Sequence, residues 1–240
     1  MLILLGQVLL AVALARAAMA DLGEGLTEAL VTLESDSDQA RISAFPRALD
    51  QVFTKLSGQR PTQSSPMRES ELEKAALLVE RYRYRTSPSG QATRLWVRFD
   101  EVAMLESARR AGVKLCAEPR PAPLLWVVLG SAARAEFVAP DSEDGLYRTL
   151  QDAAWRRGLP LRLPLMDLED RMRVKPEGVR SADRRMLAAA SERYPASGPV
   201  VGVSVEQGED GRWMARWLML NSGEPTGWRS GGMTPDEALA

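Results

Sequence analysis

Six consecutive apolar residues, Leu124-Leu125-Trp126-Val127-Val128-Leu129, follow a segment in which every second residue is proline: Pro119, Pro121 and Pro123. A strand that is apolar on both faces cannot lie on a sheet with one wet side. It predicts a parallel strand covered by helices above and below. The prolines hold the preceding chain extended and remove its backbone donors, which marks a boundary. The spacing therefore predicts an α+β domain over residues 21–118, a proline-rich linker over 119–123 and an α/β domain over 124–240. The fold class is α/β, with a Rossmann-like three-layer carboxy-terminal half that closes in an antiparallel meander.

In that half, Asp141 is placed to cap a helix running to Arg157, with Leu146, Leu150 and Ala154 on its apolar face and Gly158 at its end. Leu159, Leu161, Leu163 and Leu165 alternate with Pro160, Arg162 and Pro164. Two prolines remove donors from the same side, so a strand over Leu159–Leu165 belongs at a sheet edge, completing a right-handed βαβ unit. Asp167-Leu168-Glu169-Asp170 follows at the carboxyl end of that strand, where open α/β sheets usually bind ligands. Asp167, Glu169 and Asp170 have the chemistry for a divalent cation or an acid/base pair. The local alternative is that Asp167 is an N-cap and Asp170 complements the helix dipole. A helix is expected over Ser181–Arg193, a strand over Val200–Val205 and another over Arg212–Leu220. Trp213 and Trp217 share one face of the last strand, and Trp228 follows a glycine-marked turn. Three tryptophans are either sheet core or a platform for sugar rings. Thr234 to Glu237 reads as a capping box with proline at the first helical position.

The amino-terminal half opens with a strand over Glu28–Glu34 and a helix ending at Ser57-Gly58, with Pro46 predicted to kink it. A second helix is expected over Glu69–Leu78. Arg81-Tyr82-Arg83-Tyr84-Arg85 alternates with period two, so tyrosines should face the core and arginines water. Ser87 to Gly90 turns the chain into a partner strand over Arg94–Phe99, and Asp100 caps a helix to Arg110. Basic and aromatic residues interleaved on a sheet would also suit single-stranded nucleic acid or a peptidoglycan surface.

Composition excludes several chemistries. The chain has no histidine, which removes Ser-His-Asp and Cys-His catalysis and histidine-containing zinc sites. Cys116 is the single cysteine, so no intramolecular disulfide forms, and a buried, inert thiol is expected. The glycines form no phosphate-cradling pattern, the carboxylates no calcium loop, and no cofactor, metal or catalytic residue is assigned. Residues 1–20 read as a signal peptide with an Ala-x-Ala cleavage site before Asp21, although no Lys or Arg precedes the apolar run. An uncleaved anchor is the alternative reading of this segment. Lys+Arg is 31 against 32 Asp+Glu, a balance that gives no dominant attraction to nucleic acid.

Arg81 to Arg85, Leu95 to Asp100, Arg120-Pro121 with Leu124 to Leu129, Arg156 to Arg171, Arg193-Tyr194 and the Trp213/Trp217/Gly223-Glu224/Trp228 series together resemble DUF2066, a family of exported Gram-negative bacterial proteins. The resemblance implies a periplasmic envelope protein and brings no catalytic residues with it. The expectation is a non-enzymatic interaction or assembly module with an envelope-protein partner, no nucleic acid and no stable membrane span after signal cleavage. The alternatives are a hydrolase using Asp167, Glu169 and Asp170, and a glycan-binding protein using Trp213, Trp217 and Trp228.

Overall fold

The computed structural model describes residues 25–58, 65–86, 93–116, 120–131, 133–139, 145–195, 198–220 and 223–239. The signal segment expected over residues 1–20, the turn expected over Ser87–Gly90, Pro119 of the expected linker and the cap expected at Asp141 lie outside the described residues. The chain divides into two compact units whose main boundary falls between Pro119 and Arg120. Among the described residues, no helix is long and apolar enough to cross a membrane.

The first unit is an antiparallel sheet in the order β1-β3-β2, with β1 at Glu28–Thr32, β2 at Val79–Thr86 and β3 at Thr93–Phe99. Helix α1 spans Asp38–Ser57 and runs unbroken through Pro46, although an interior proline costs about 3 kcal/mol. Its apolar stripe (Phe45, Ala48, Leu49, Val52, Phe53) is buried in the same core as Ala29, Leu95, Val97 and Phe99 of the sheet, and that burial offsets the missing bond. The second predicted helix starts earlier than expected. It is α2 at Pro66–Glu73, with proline at the first turn, followed by a 3-10 turn at Ala75–Leu78. Helix α3 (Glu101–Arg110) is capped by Asp100, whose Oδ1 accepts from the Ala103 amide at 2.9 Å.

In register, Tyr82 sits opposite Val97 and Tyr84 opposite Leu95, so both tyrosines do take the core side of the sheet. They are not buried there, with 41% and 44% of their surface exposed. β2 is an edge strand, and α1 covers its tyrosines only in part: Phe45 meets the Tyr82 ring at 6.0 Å, and the Arg41 guanidinium lies 5.2 Å over that ring and donates to the Tyr84 hydroxyl at 3.3 Å. Cys116 is exposed, not buried, because it follows α3 on a segment held by its own amide bonding to the Leu56 carbonyl at 2.8 Å.

The second unit is a five-stranded sheet in the order β5-β4-β6-β7-β8. β4 (Leu124–Leu129) lies parallel to β6 (Val200–Gln207), and β5 (Glu136–Phe137), β7 (Trp213–Leu220) and β8 (Thr226–Gly232) pair antiparallel. Apolar cores lie on both faces, as the two-faced β4 run requires. One joins Leu125, Val127, Val201, Val203 and Ala215 to α4 (Leu146–Arg156) and α8 (Pro235–Leu239). The other joins Trp126 and Val128 to Met166 and Val174, which flank α5 (Leu168–Arg173), and to residues of α6 (Pro176–Arg180) and α7 (Arg184–Ser191). The class is therefore mixed α and β. One parallel pair in an otherwise antiparallel sheet is not a doubly wound arrangement, so the Rossmann-like detail does not follow.

The strand expected over Leu159–Leu165 shrinks to a single parallel bridge between Arg162 and Leu124. Arg162 donates its amide to the Pro123 carbonyl at 3.1 Å and accepts from the Leu125 amide at 2.9 Å. The donors of residues 160, 162 and 164 point to one side, so Pro160 and Pro164 abolish the bonds that would extend the bridge either way. Leu159 and Leu165 consequently stand 44% and 69% exposed, where an alternating strand would have covered them. The helix expected over Ser181–Arg193 begins only at Arg184, because Ala182 takes a left-handed φ of 58° and Asp183 caps the new helix.

Candidate functional site

Asp167 caps α5, its Oδ1 accepting from the Asp170 amide at 3.0 Å. The Arg193 guanidinium, just past α7, grips the same carboxylate with two bonds, Nη1 to Oδ1 and Nη2 to Oδ2, each 2.8 Å. Hydrogen bonding from Arg193 holds the Asp167 carboxyl well below the usual carboxylate range, with the Asp170 amide adding to it. Asp170 is 0% exposed. Its Oδ1 accepts from Arg193 at 2.9 Å, and its Oδ2 accepts from the Met166 amide at 2.9 Å and from the Tyr194 hydroxyl. That hydroxyl in turn accepts from the Leu165 amide at 2.9 Å. Burial and the bond to Asp170 push the Tyr194 phenol up to about 12. Glu169 pairs with Arg173 at 2.8 Å and lies 3.6 Å from Arg193.

All three predicted carboxylates are brought together, and each has a cationic partner. The arrangement staples the start of α5 to the end of α7 and fixes Met166 in a left-handed conformation, φ 55°. Trp126 extends it inward, meeting the Tyr194 ring edge-on at 6.3 Å and donating to Ser191 Oγ at 2.9 Å. Among the described residues, no group of three or more Asp, Glu or Cys side chains is placed to hold a metal ion.

The tryptophans divide differently. Trp217 and Trp228 are cross-strand neighbours on β7 and β8 and stack with centroids 5.6 Å apart and planes 4° from parallel. Trp217 donates to Ser230 Oγ at 2.7 Å, which ties the pair to α8 through the Ala238 carbonyl. Trp213 shares their face but sits four residues along β7, about 13 Å away at strand rise, and joins the core. Beside the stacked pair opens a cleft of about 440 Å³ lined by Leu125, Leu150, Leu161, Met219 and both rings. Among the described residues that line it, Arg157 is the one with a charged side chain. The volume lies within the range of small-ligand sites, roughly 300 to 1,000 Å³. Its walls come from β4, β6, β7, β8, α4 and the segment after α4, and no local spacing in the sequence signals that convergence. The one hint was Leu159 and Leu161 beside prolines, apolar residues that no regular strand could bury.

The Arg/Tyr alternation leaves five arginines, Arg81, Arg83, Arg85, Arg94 and Arg98, on the outer face of the first sheet. Arg83 and Arg85 lie over the Trp96 ring at 5.7 and 5.9 Å.

Fold and sites together define a two-unit protein of mixed α and β class with an apolar cleft in its second unit. Residues 20–116 match the model of a domain of unknown function, DUF8605. This corrects the resemblance to DUF2066, which is not matched. The residues that carried the likeness have architectural explanations here: in Arg156 to Arg171, Gly158 ends a helix, two prolines limit a bridge and Asp167 caps the next helix. Searches of curated proteins and of solved structures find no match for the chain.

Proposed function

We propose that this chain is a non-enzymatic interaction module, exported to the cell envelope, that takes an extended apolar segment of a partner protein along β8. The cleft beside β8 carries this reading. β8 is the last strand of its sheet, and among the described residues no strand pairs with its outer side. An extended peptide added to such an edge gains main-chain hydrogen bonds, and alternate side chains enter neighbouring pockets. Here the side chains on one face would meet Trp228 and the apolar cleft. The pairing of Asp167, Glu169 and Asp170 with arginines favours a structural role for them over acid/base work. Export rests on the apolar segment and Ala-x-Ala sequence of residues 1–20.

Selection from a displayed library of ten-residue peptides tests the proposal. Binders should show apolar residues at alternate positions, and their affinity should fall about tenfold or more in Trp228→Ala and Leu159→Asp, as loss of an anchor from an apolar pocket does. Binders without alternation, or with affinity indifferent to both substitutions, would sink it.

A further inference from the structure

On the opposite face of the second sheet, residues Ser204, Arg216 and Arg229 stand directly across from one another on β6, β7 and β8. They form the floor of a second concavity of about 330 Å³, walled by α6 and the residues just after it. Gly202 and Gly227 occupy the next cross-strand row, on either side of Leu218, so two of its three positions put no side chain into the space.

The electrostatics of this concavity are unbalanced. Its charged lining residues are Arg180, Arg216 and Arg229. Glu206 is the carboxylate that answers them, bonding Arg180 Nη2 at 2.7 Å and Arg216 Nη2 at 3.0 Å. Arg180 spends its other terminal nitrogen on the Gly130 carbonyl at 2.7 Å, so its part is to hold Glu206 and the wall in place. Among the described residues, three guanidiniums against one carboxylate leave two positive charges uncompensated. Arg216 and Arg229 face each other across adjacent strands, a like-charge pairing that costs stability unless something negative lies between or above them. Among the described residues, the buried Arg216 Nε has no hydrogen-bond partner and Arg229 has no ion pair. That atom is closed to solvent, so a ligand in the concavity would be met by Arg229 and by the terminal nitrogens of Arg216, of which Nη2 already bonds Glu206.

We propose that this concavity binds a doubly charged phosphoryl group through the guanidiniums of Arg216 and Arg229, with the Ser204 hydroxyl beneath it. The planar fork of Arg229 and the terminal N–H groups that Arg216 retains match a phosphoryl group's oxygens, and a dianion neutralises both spare charges where a monocarboxylate leaves one. The cavity is larger than the ion, so it has room for the organic part of a phosphate monoester. The site lies across the sheet from the apolar cleft and does not depend on it.

The test is isothermal titration of the full-length chain with inorganic phosphate, phenyl phosphate and acetate at constant ionic strength. Phosphate and phenyl phosphate should each saturate one site, with acetate about tenfold weaker or worse, since it leaves one charge unanswered. Tighter binding of phenyl phosphate assigns the site to phosphate esters, and tighter binding of phosphate assigns it to the free ion. Arg229→Ala should weaken binding about tenfold, and Arg229→Lys, which keeps the charge but loses the fork, should fall between. Arg212→Ala, on the exposed turn before β7, should bind as the parent does. Circular dichroism establishes that each variant is folded. No saturable heat with either phosphate, acetate binding as well as phosphate, or an Arg229→Ala variant that binds like the parent would overturn the proposal.

Discussion

Arg193 Nη1 lies 2.9 Å from Oδ1 of Asp170, a fully buried carboxylate, and 2.8 Å from Oδ1 of Asp167, so one guanidinium nitrogen bridges the cap of α5 and its first turn. A buried carboxylate persists when its acceptor positions are filled, and here an arginine, a phenol and a backbone amide fill them. The pairing positions the chain where it leaves the Arg162 bridge.

Breaking one partner should expose that dependence. Asp170→Asn removes the buried charge that Arg193, Tyr194 and the Met166 amide all donate to and sets an amide group among those donors; Arg193 keeps Asp167, and the second unit is expected to lose about 3 kcal/mol. Tyr194→Phe removes one hydrogen bond to Asp170 and leaves the Leu165 amide unpaired, for about 1–3 kcal/mol. Urea unfolding followed by tryptophan fluorescence checks the order, because Trp126 packs against Tyr194. Equal, small losses in both variants would mean that the carboxylate is not the centre of the network.

Much of this architecture was legible in local spacing. The two-faced run gave β4 its observed ends, Leu124 and Leu129, and both Asp100 and Asp167 cap the helices their positions implied. Failures came where a partner distant in the chain decided the outcome. Leu159 to Leu165 has the alternation of a strand, but ladder pairing depends on backbone donors that Pro160 and Pro164 lack. Pro46 sits in α1 without ending it because the flanking apolar residues are buried together. Tyr82 and Tyr84 take the predicted side, yet nothing in a period of two says how far the covering helix reaches. The acidic cluster was found and its counter-ion was not. Arg193 lies 23 residues beyond Asp170, and only the fold brings them together.

In the first unit, Glu71 is buried between α2 and α3 and accepts from Lys74 Nζ at 2.9 Å, Ser107 Oγ at 2.8 Å and Arg110 Nε at 3.1 Å. The Lys74 ammonium, then Ser107 and Arg110, hold its carboxyl down to about 2, against the opposing effect of burial. A folded value below the unfolded one, about 4.3, contributes stability that is complete above pH 4.3 and is lost as pH falls through 2. Acid titration of the unfolding free energy should therefore be steeper in the parent than in Glu71→Gln across that window. Parallel curves would show that the carboxylate is not coupled to folding.

Lys55 gives a slope of the same sign at the other end of the pH scale, because its folded value is also depressed. Its ammonium is fully buried and donates to the carbonyls of Gly25 and Glu28 at 3.0 and 2.8 Å. Burial pulls it down to about 7, and the Glu28 charge draws it partway back up. Because the folded value lies below the unfolded one, about 10.4, the unfolded state holds the proton between these two values. Stability should rise with pH across that interval. In Lys55→Met this rise should disappear even though the two carbonyls lose their donor and the variant is less stable throughout. A parent protein whose stability is flat from pH 7 to 10 would contradict the assignment.

The outer face of the first sheet carries a cost that a single substitution can relieve. Arg81 stands directly opposite Arg98, and Arg85 directly opposite Arg94, so like charges meet twice across the same pair of strands. Arg98 has a partial answer in Glu80, 3.4 Å from its Nε, while Arg81 has no ion pair among the described residues. Like charges directly opposite on a sheet are destabilising, and an opposite-charge pair at the same position contributes about 0.2–1 kcal/mol. Arg81→Glu should therefore raise the thermal stability of the first unit, with a gain that shrinks as salt is added, since these side chains are exposed. Arg81→Ala should give a smaller gain by removing the repulsion alone. If both variants are less stable than the parent at low salt, the aliphatic stem of Arg81 contributes more through packing than its charge costs, and the basic face is held together by contacts along the strands.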